Sequence, residues 1–173
     1  MTTVVLLAAG ASRRFGPACK LQALYRGKPL VRHAADAILA TGLPALAVTA
    51  DPAVEELLPE FCIIHSVGPQ SQSLRAGLEQ VNDDRALVVL GDMPHVNADL
   101  LHRIAEAPAP AAATDGIRVM PPASIPRSMF ADIMRLSGDQ GAASLLRLRP
   151  DLHRIPATVE VLIDIDTQED ILY

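Results

Sequence analysis

The chain has 173 residues, half of them apolar, which is the size of one domain and enough to bury a core unaided. Its net charge of -5 is spread without a basic block, and aromatic residues make up 3% with no tryptophan, so neither a phosphate-neutralising nor a base-stacking surface for nucleic acid is expected. Cys19 and Cys62 belong to no Cys-x-x-Cys or Cys/His cluster, and the apolar stretch at residues 4–9 is too short for a bilayer and lacks a basic leader. These features exclude a zinc site, a disulfide framework and a membrane span, and the expected location is cytoplasmic.

Short apolar runs alternate with segments of helical period, which predicts one α/β domain over residues 1–173 with a mainly parallel sheet. Strands are predicted at residues 4–8, 45–49, 62–65 and 86–90. Between the first two, residues 28–41 carry Leu30, Val31, Ala34, Ala35, Ile38 and Leu39 on one helical face, with Pro29 near the start and Gly42 past the end. Further helices are predicted at 71–81, with Leu74 and Leu78 inward, and at 97–107, with Asn97 as N-cap. Residues 108–126 shift to alanine and proline, and Pro121-Pro122 predicts an extended, partly looped crossing in place of a regular central strand or helix. Beyond it, 127–136 and 141–148 read as helical, 159–163 as a strand and 167–172 as a closing helical turn.

Two features carry chemistry. The first strand runs into Leu7-Ala8-Ala9-Gly10-Ala11-Ser12-Arg13-Arg14-Phe15-Gly16 and then Lys20. Small residues let a base and backbone amides approach closely, and Arg13, Arg14 and Lys20 offset phosphate charge, so the loop suits a polyphosphate. It is neither Gly-x-Gly-x-x-Gly nor a Walker loop, and an ordinary surface turn with solvated arginines has the same composition. The second feature is Leu87-Val88-Val89-Leu90-Gly91-Asp92-Met93-Pro94, an apolar strand ending in one carboxylate. Ligands of open α/β sheets collect beyond the carboxyl ends of strands, so Asp92 and the first loop are expected to share a crevice. There Asp92 could hold a hard cation with water and phosphates, or cap the turn before Pro94. Asp164, at the end of the predicted last strand, could face the same cation, while Asp166 could cap the turn opened by Thr167. Asp139, with Gln140, lies between glycines and reads as a site residue or a turn former. The five histidines show no metal-ligand spacing, and no serine or cysteine has a recognisable histidine partner for covalent hydrolysis.

The run Leu6 to Gly16 with Lys20-Leu21 and Gly27-Lys28-Pro29-Leu30-Val31-Arg32-His33 resembles the signature of the MobA-like nucleotidyltransferases, and within them the molybdenum cofactor cytidylyltransferases. The resemblance continues through Ser71-Gln72-Ser73-Leu74-Arg75-Ala76-Gly77-Leu78, Leu90-Gly91-Asp92-Met93-Pro94, Pro126-Arg127-Ser128-Met129-Phe130, Gly138-Asp139-Gln140-Gly141-Ala142 and Asp164-Ile165-Asp166-Thr167-Gln168-Glu169-Asp170. It implies a Rossmann-like three-layer α/β/α fold of the nucleotide-diphospho-sugar transferase type, and transfer of a nucleoside monophosphate to a molybdopterin-type cofactor with loss of pyrophosphate. CTP is the nucleotide and Mg2+ the metal that it favours. It places Leu7, Ala8, Ala9, Gly10, Ser12, Arg13, Arg14, Lys20 and Ser73 on the nucleotide, and gives Arg14, Lys20 and Asp92 the catalytic roles. Asp92 and Asp164 would hold the metal, and Asp139 and Gln140 would stand near the acceptor. An apo-molybdoenzyme is the implied downstream partner. One departure stands at residues 119–126, where the Gly-His-Pro of the family is absent. A guanylyltransferase, a sugar-phosphate nucleotidyltransferase, or a non-catalytic cofactor-delivery module would share much of this pattern.

Overall fold

The computed structural model describes residues 1–9 and 19–172. Strand β1 (Thr2–Leu7) runs centrally, with Val4 to Leu7 buried on both faces as a strand covered from two sides requires. After a single 3-10 turn at Lys20–Gln22, a short hairpin forms from β2 (Leu24–Tyr25) and β3 (Lys28–Pro29). Arg26 and Gly27 both have positive φ, +48° and +81°, as the tight connection of two antiparallel strands demands. Helix α1 (Leu30–Leu39) buries Leu30, Val31, Ala34, Ala35 and Ile38 on the face read from the sequence. Strand β4 (Ala45–Thr49), a single-turn helix α2 (Pro52–Glu55), strand β5 (Cys62–His65), helix α3 (Gln70–Glu79), strand β6 (Arg85–Leu90) and helix α4 (Ala98–Glu106) follow. Asn97 caps α4 by accepting from the Leu100 N–H at 2.9 Å. The chain continues through β7 (Ala111–Thr114), β8 (Val119–Pro126), the short helices α5 (Phe130–Ile133) and α6 (Ala143–Leu146), and β9 (His153–Pro156).

The strands form one seven-stranded sheet in the order β5-β4-β1-β6-β8-β7-β9, parallel throughout except for β8, which is antiparallel to both its neighbours. Period-two alternation sends Val4 and Leu6 to one core with α1 and α4, and Val5 and Leu7 to another with α3, α5 and α6. The result is the Rossmann-like three-layer α/β/α arrangement. Among the described residues no helix is long and apolar enough to cross a membrane.

Two expectations are corrected. Residues 119–126 form an interior strand with an irregular centre despite Pro121-Pro122. The ladder to β7 shifts register between Ala112 and Ala113, whose partners are Ala123 and Met120, and the pairs recorded with β6 stop at Ala123. The two prolines therefore sit in an irregularity where their missing N–H groups break no ladder bond. Residues 159–163 are not a strand. The β7 edge is already taken by β9, framed by His153 N–H donating to Pro110 O and Ala157 N–H to Thr114 O, each at 2.9 Å. Val161 and Leu162 N–H turn back onto Thr158 and Val159, and this turn carries Asp164 and its successors toward the end of β6.

Helix α3 lies close on the sheet because Gly77 has no side chain. A Cβ there would stand 2.6 Å from Val5 Cγ1 and 3.0 Å from Val48 Cγ2, both on stiff β-branched side chains. Gly77→Ala gains about 1 kcal/mol of helix propensity but overpacks at a cost of about 1–3 kcal/mol. We expect net destabilisation, and a larger loss for Gly77→Val, read as a fall in thermal midpoint of about 2–4 °C per kcal/mol. A midpoint unchanged in both variants would show that α3 can lift off the sheet without cost.

Candidate active site

From β1 the chain steps outward to β4 and β5 on one side, then returns to place β6 on the other side of β1. The crevice opened by that reversal lies beyond the carboxyl ends of β1 and β6, where ligands of open α/β sheets bind. Leu7 and Leu90 face each other there in register. Ala8 N–H donates to Val48 O at 2.8 Å and Gly91 N–H to Leu7 O at 3.0 Å. A Cβ at Gly91 would come within 3.3 Å of both Leu7 O and Val31 Cγ2, so glycine lets β6 run on to Asp92 without displacing its neighbours.

Three distant segments close on this point. The turn at Lys20–Gln22 sits against α2, with Gln22 Nε2 donating to Asp51 Oδ2 at 2.8 Å, and presents Lys20. Its ammonium donates to Asp92 Oδ2 at 2.7 Å, to Ile165 O at 2.9 Å and to Asp166 Oδ1 at 3.2 Å. Ile165 N–H in turn donates to Asp92 O at 2.9 Å. Lys20 is only 8% exposed. Burial opposes its charge, but Asp92 and Asp166 outweigh burial and hold its pKa above the ordinary lysine value.

One carboxylate oxygen at this point is left unused by the described residues. Asp92 Oδ1 is buried and has no hydrogen-bond partner among the described residues. Burial, followed by the charges of Asp92 and Asp166, raises the pKa of Asp164 above the usual carboxyl range, against the pull of Lys20. Among the described residues no three His, Cys, Asp or Glu side chains make a ready metal set. An orphaned buried oxygen beside further carboxylates fits a hard cation that draws its remaining ligands from water and phosphates.

Asp166, a candidate cap of the closing turn by its position in the sequence, instead faces Lys20. The cap at the Glu169–Leu172 turn is Asp170, whose Oδ2 accepts from Asp166 N–H, Thr167 N–H and Thr167 Oγ1 at 2.9, 2.7 and 3.0 Å. That frees the Asp166 carboxylate to face Lys20, and the spacing Asp164-x-Asp166 was the one available signal. Asp164 instead lines a cavity of about 470 Å3 together with Leu7, Asp139 and Gln140. Leu74, Val88, Leu90, Met120 and Ala123 contribute apolar surface to it, and Gln70, Ser144 and Arg147 polar groups. Ser71 and Ser73, 1% and 3% exposed in the first turn of α3, keep hydroxyls without partners among the described residues, so neither side chain caps that helix. Ser71 N–H donates to Gly138 O at 3.2 Å and ties the helix to the Asp139 loop. Ala8 is buried and Ala9 half-buried at the crevice, whereas Gly10, Ser12, Arg13 and Arg14 lie outside the described residues.

The sequence matches the family described as MobA-like NTP transferase domain over residues 4–155. Among solved structures, Rv0371c from Mycobacterium tuberculosis H37Rv in complex with manganese is 26% identical, with a TM-score of 0.80 over 98% of this chain and 95% of that one. A nucleotidyl transferase from Methanothermobacter shares the fold at a TM-score of 0.85 and 22% identity, covering 99% and 94% of the two chains. Molybdopterin-guanine dinucleotide biosynthesis protein A from Archaeoglobus fulgidus shares it at 0.75 and 20% identity, covering 98% and 95%. No curated protein matches the sequence.

Removing Lys20 alone leaves Asp92 and Asp166 facing each other in a closed site. Lys20→Met is expected to cost about 3 kcal/mol in urea unfolding, and Lys20→Met with Asp92→Asn to recover part of that loss because both charges of the pair are gone. Equal stability of native chain and single variant would mean that the ammonium contributes nothing to closing the crevice.

Proposed function

The chain belongs to the MobA-like NTP transferase family, and from that membership we propose that it is a magnesium-dependent cytidylyltransferase acting on a molybdopterin-type cofactor. CMP passes from CTP to the terminal phosphate of the acceptor, and pyrophosphate leaves. The observation that carries the reading is the meeting of Lys20 with Asp92 at the β1/β6 crevice, beside a cavity lined by Asp139, Gln140 and Asp164.

Nucleotide binding falls to the loop after β1. Leu7, Ala8 and Ala9 offer apolar and small surface where the strand ends, Gly10 and Ser12 offer backbone amides, and Arg13 and Arg14 offer cations. Lys20, now held by carboxylates, turns to the phosphates when they arrive, since a triphosphate brings more negative charge than Asp92 and Asp166 together. Ser73, buried at the start of α3 with no hydroxyl partner among the described residues, hydrogen-bonds the nucleoside. Asp92, through the Oδ1 that no described residue engages, and Asp164 would hold Mg2+, which when bound supplies positive charge at the phosphate oxygens. The manganese complex of Rv0371c supports a divalent cation at such a site.

The acceptor occupies the cavity. The wall that β8 supplies, Met120, Pro121 and Ala123, is apolar and suits the flat face of a heterocycle, while Asp139 and Gln140 meet its polar edge. An acceptor phosphate is already ionised at neutral pH, so its oxygen attacks the α-phosphorus in line without a general base. The bond to the pyrophosphate oxygen breaks, and Arg14 and Lys20 neutralise the charge growing on that leaving group. We place the reaction in the cytoplasm, where nucleoside triphosphates are made, with residues 1–173 as one transferase domain and an apo-molybdoenzyme as recipient of the product.

The test is pyrophosphate release with magnesium and molybdopterin-type cofactor, comparing CTP, GTP, ATP and UTP. Release with CTP is expected, Asp92→Asn should lower it about a hundredfold or more, and Lys20→Ala should weaken CTP binding about tenfold. Release with GTP alone moves the protein to guanylyl transfer. Silence with all four, despite measured nucleotide binding, sinks transfer to a molybdopterin-type cofactor and leaves another acceptor or a cofactor-delivery module.

A further inference from the structure

The arms that carry Lys20 and Asp92 meet a second time, behind the ion pair. Five residues after Lys20 the β2–β3 hairpin presents Tyr25, and three residues after Asp92 stands His95. The Tyr25 hydroxyl and His95 Nε2 share a hydrogen bond of 2.8 Å, and their rings meet edge to face with centroids 5.6 Å apart. Both ends of this tether are fixed. On the hairpin side Tyr25 is buried, and His33 of α1 donates from Nε2 to its carbonyl at 2.8 Å. On the other side His95 belongs to the turn from Met93 to Val96, in which Pro94 restricts φ and both Met93 and Val96 are buried.

We infer that Tyr25 and His95 are positioning residues, whose hydrogen bond holds the Lys20 arm at a set distance from the Asp92 arm while nucleotide is bound. The inference rests on the function proposed above. In that reading Lys20 turns to phosphate and Asp92 to a cation, so the contact now joining the arms is lost when the phosphates need both groups in place. The tether uses neither group and survives the exchange. Burial, with added positive charge from Arg26 and His33, keeps the His95 pKa below the ordinary histidine value, so the imidazole stays neutral at neutral pH beside the phenol. Arg26 itself stands 5.3 Å over the Tyr25 ring and keeps its charge on the solvent side of the pair.

Tyr25→Phe removes the hydroxyl and keeps the ring, and His95→Leu keeps bulk in the turn. The measurements are calorimetric titration of each variant with CTP and with GTP in the presence of magnesium, thermal unfolding without ligand, and amide hydrogen exchange. Each single variant should bind its nucleotide about fivefold more weakly, and the double variant no more weakly than the worse single one. Exchange at the Ile165 amide, which donates to Asp92 O, should accelerate about fivefold, while the unfolding midpoint falls by no more than about 2–4 °C, which one hydrogen bond of about 1 kcal/mol accounts for. Native affinity in both single variants, additive losses in the double variant, or a lowered midpoint with unchanged affinity would each overturn the inference. If the native chain binds neither nucleotide, the functional reading has failed, and exchange then decides alone. A faster Ile165 amide retains the tether and an unchanged one removes it.

Discussion

The ammonium of Lys20 is the constraint around which the crevice is organised. A lysine so little exposed must have its charge matched and its donors used, because burying an unpaired ammonium costs several kcal/mol. The acceptors come from Asp92, from the carbonyl of Ile165 and from Asp166, segments that lie 72 to 146 positions away along the chain. Satisfying one cation therefore draws the end of β6 and the segment beyond β9 onto the turn that follows the first loop. The same arrangement leaves Asp92 Oδ1 without a partner among the described residues. In the function proposed above, a hard cation would take the place of the ammonium at these carboxylates while Lys20 turns to phosphate.

The sheet supplies the place for this meeting. Winding β4 and β5 to one side of β1 and β6 to the other opens the crevice beyond the carboxyl ends of β1 and β6. Small residues set how close the layers come around it. Gly77 lets α3 settle against Val5 and Val48, and Gly91 lets β6 pass beneath Leu7 and Val31. A bulkier residue at either position would shift the helix or the strand end that delivers Ser73 or Asp92. Stability and site geometry share these contacts.

Several conspicuous motifs serve architecture rather than chemistry. Arg127 donates to the carbonyls of Val81 and Asp83 and stacks on Phe130 with its guanidinium carbon 5.3 Å from the ring centre, so the Pro126 to Phe130 motif secures the chain beyond α3. Asp170 and Thr167 cap the last turn and thereby release Asp166 toward Lys20. Proline-rich β8 combines both roles. Its irregular centre tolerates two missing donors, and Met120, Pro121 and Ala123 face the cavity beside Asp139 and Gln140.

Local pattern was enough to determine the α/β class, the apolar face of α1, the strands Ala45–Thr49 and Cys62–His65, and the meeting of Lys20 with Asp92. Hydrophobic period and strand-end chemistry act over a few residues and can be read one segment at a time. Tertiary structure alone decided the rest. Residues 159–163 have the composition of a strand, but β9 already occupies the edge they would need. Residues 119–126 look broken by proline, but the register shift opposite them removes the need for two donors. Asp166 looks like a cap until Asp170 takes that task and a lysine 146 positions away needs a carboxylate. In each case the outcome turned on which distant backbone group or charge remained unsatisfied, a quantity that exists only once the chain has folded.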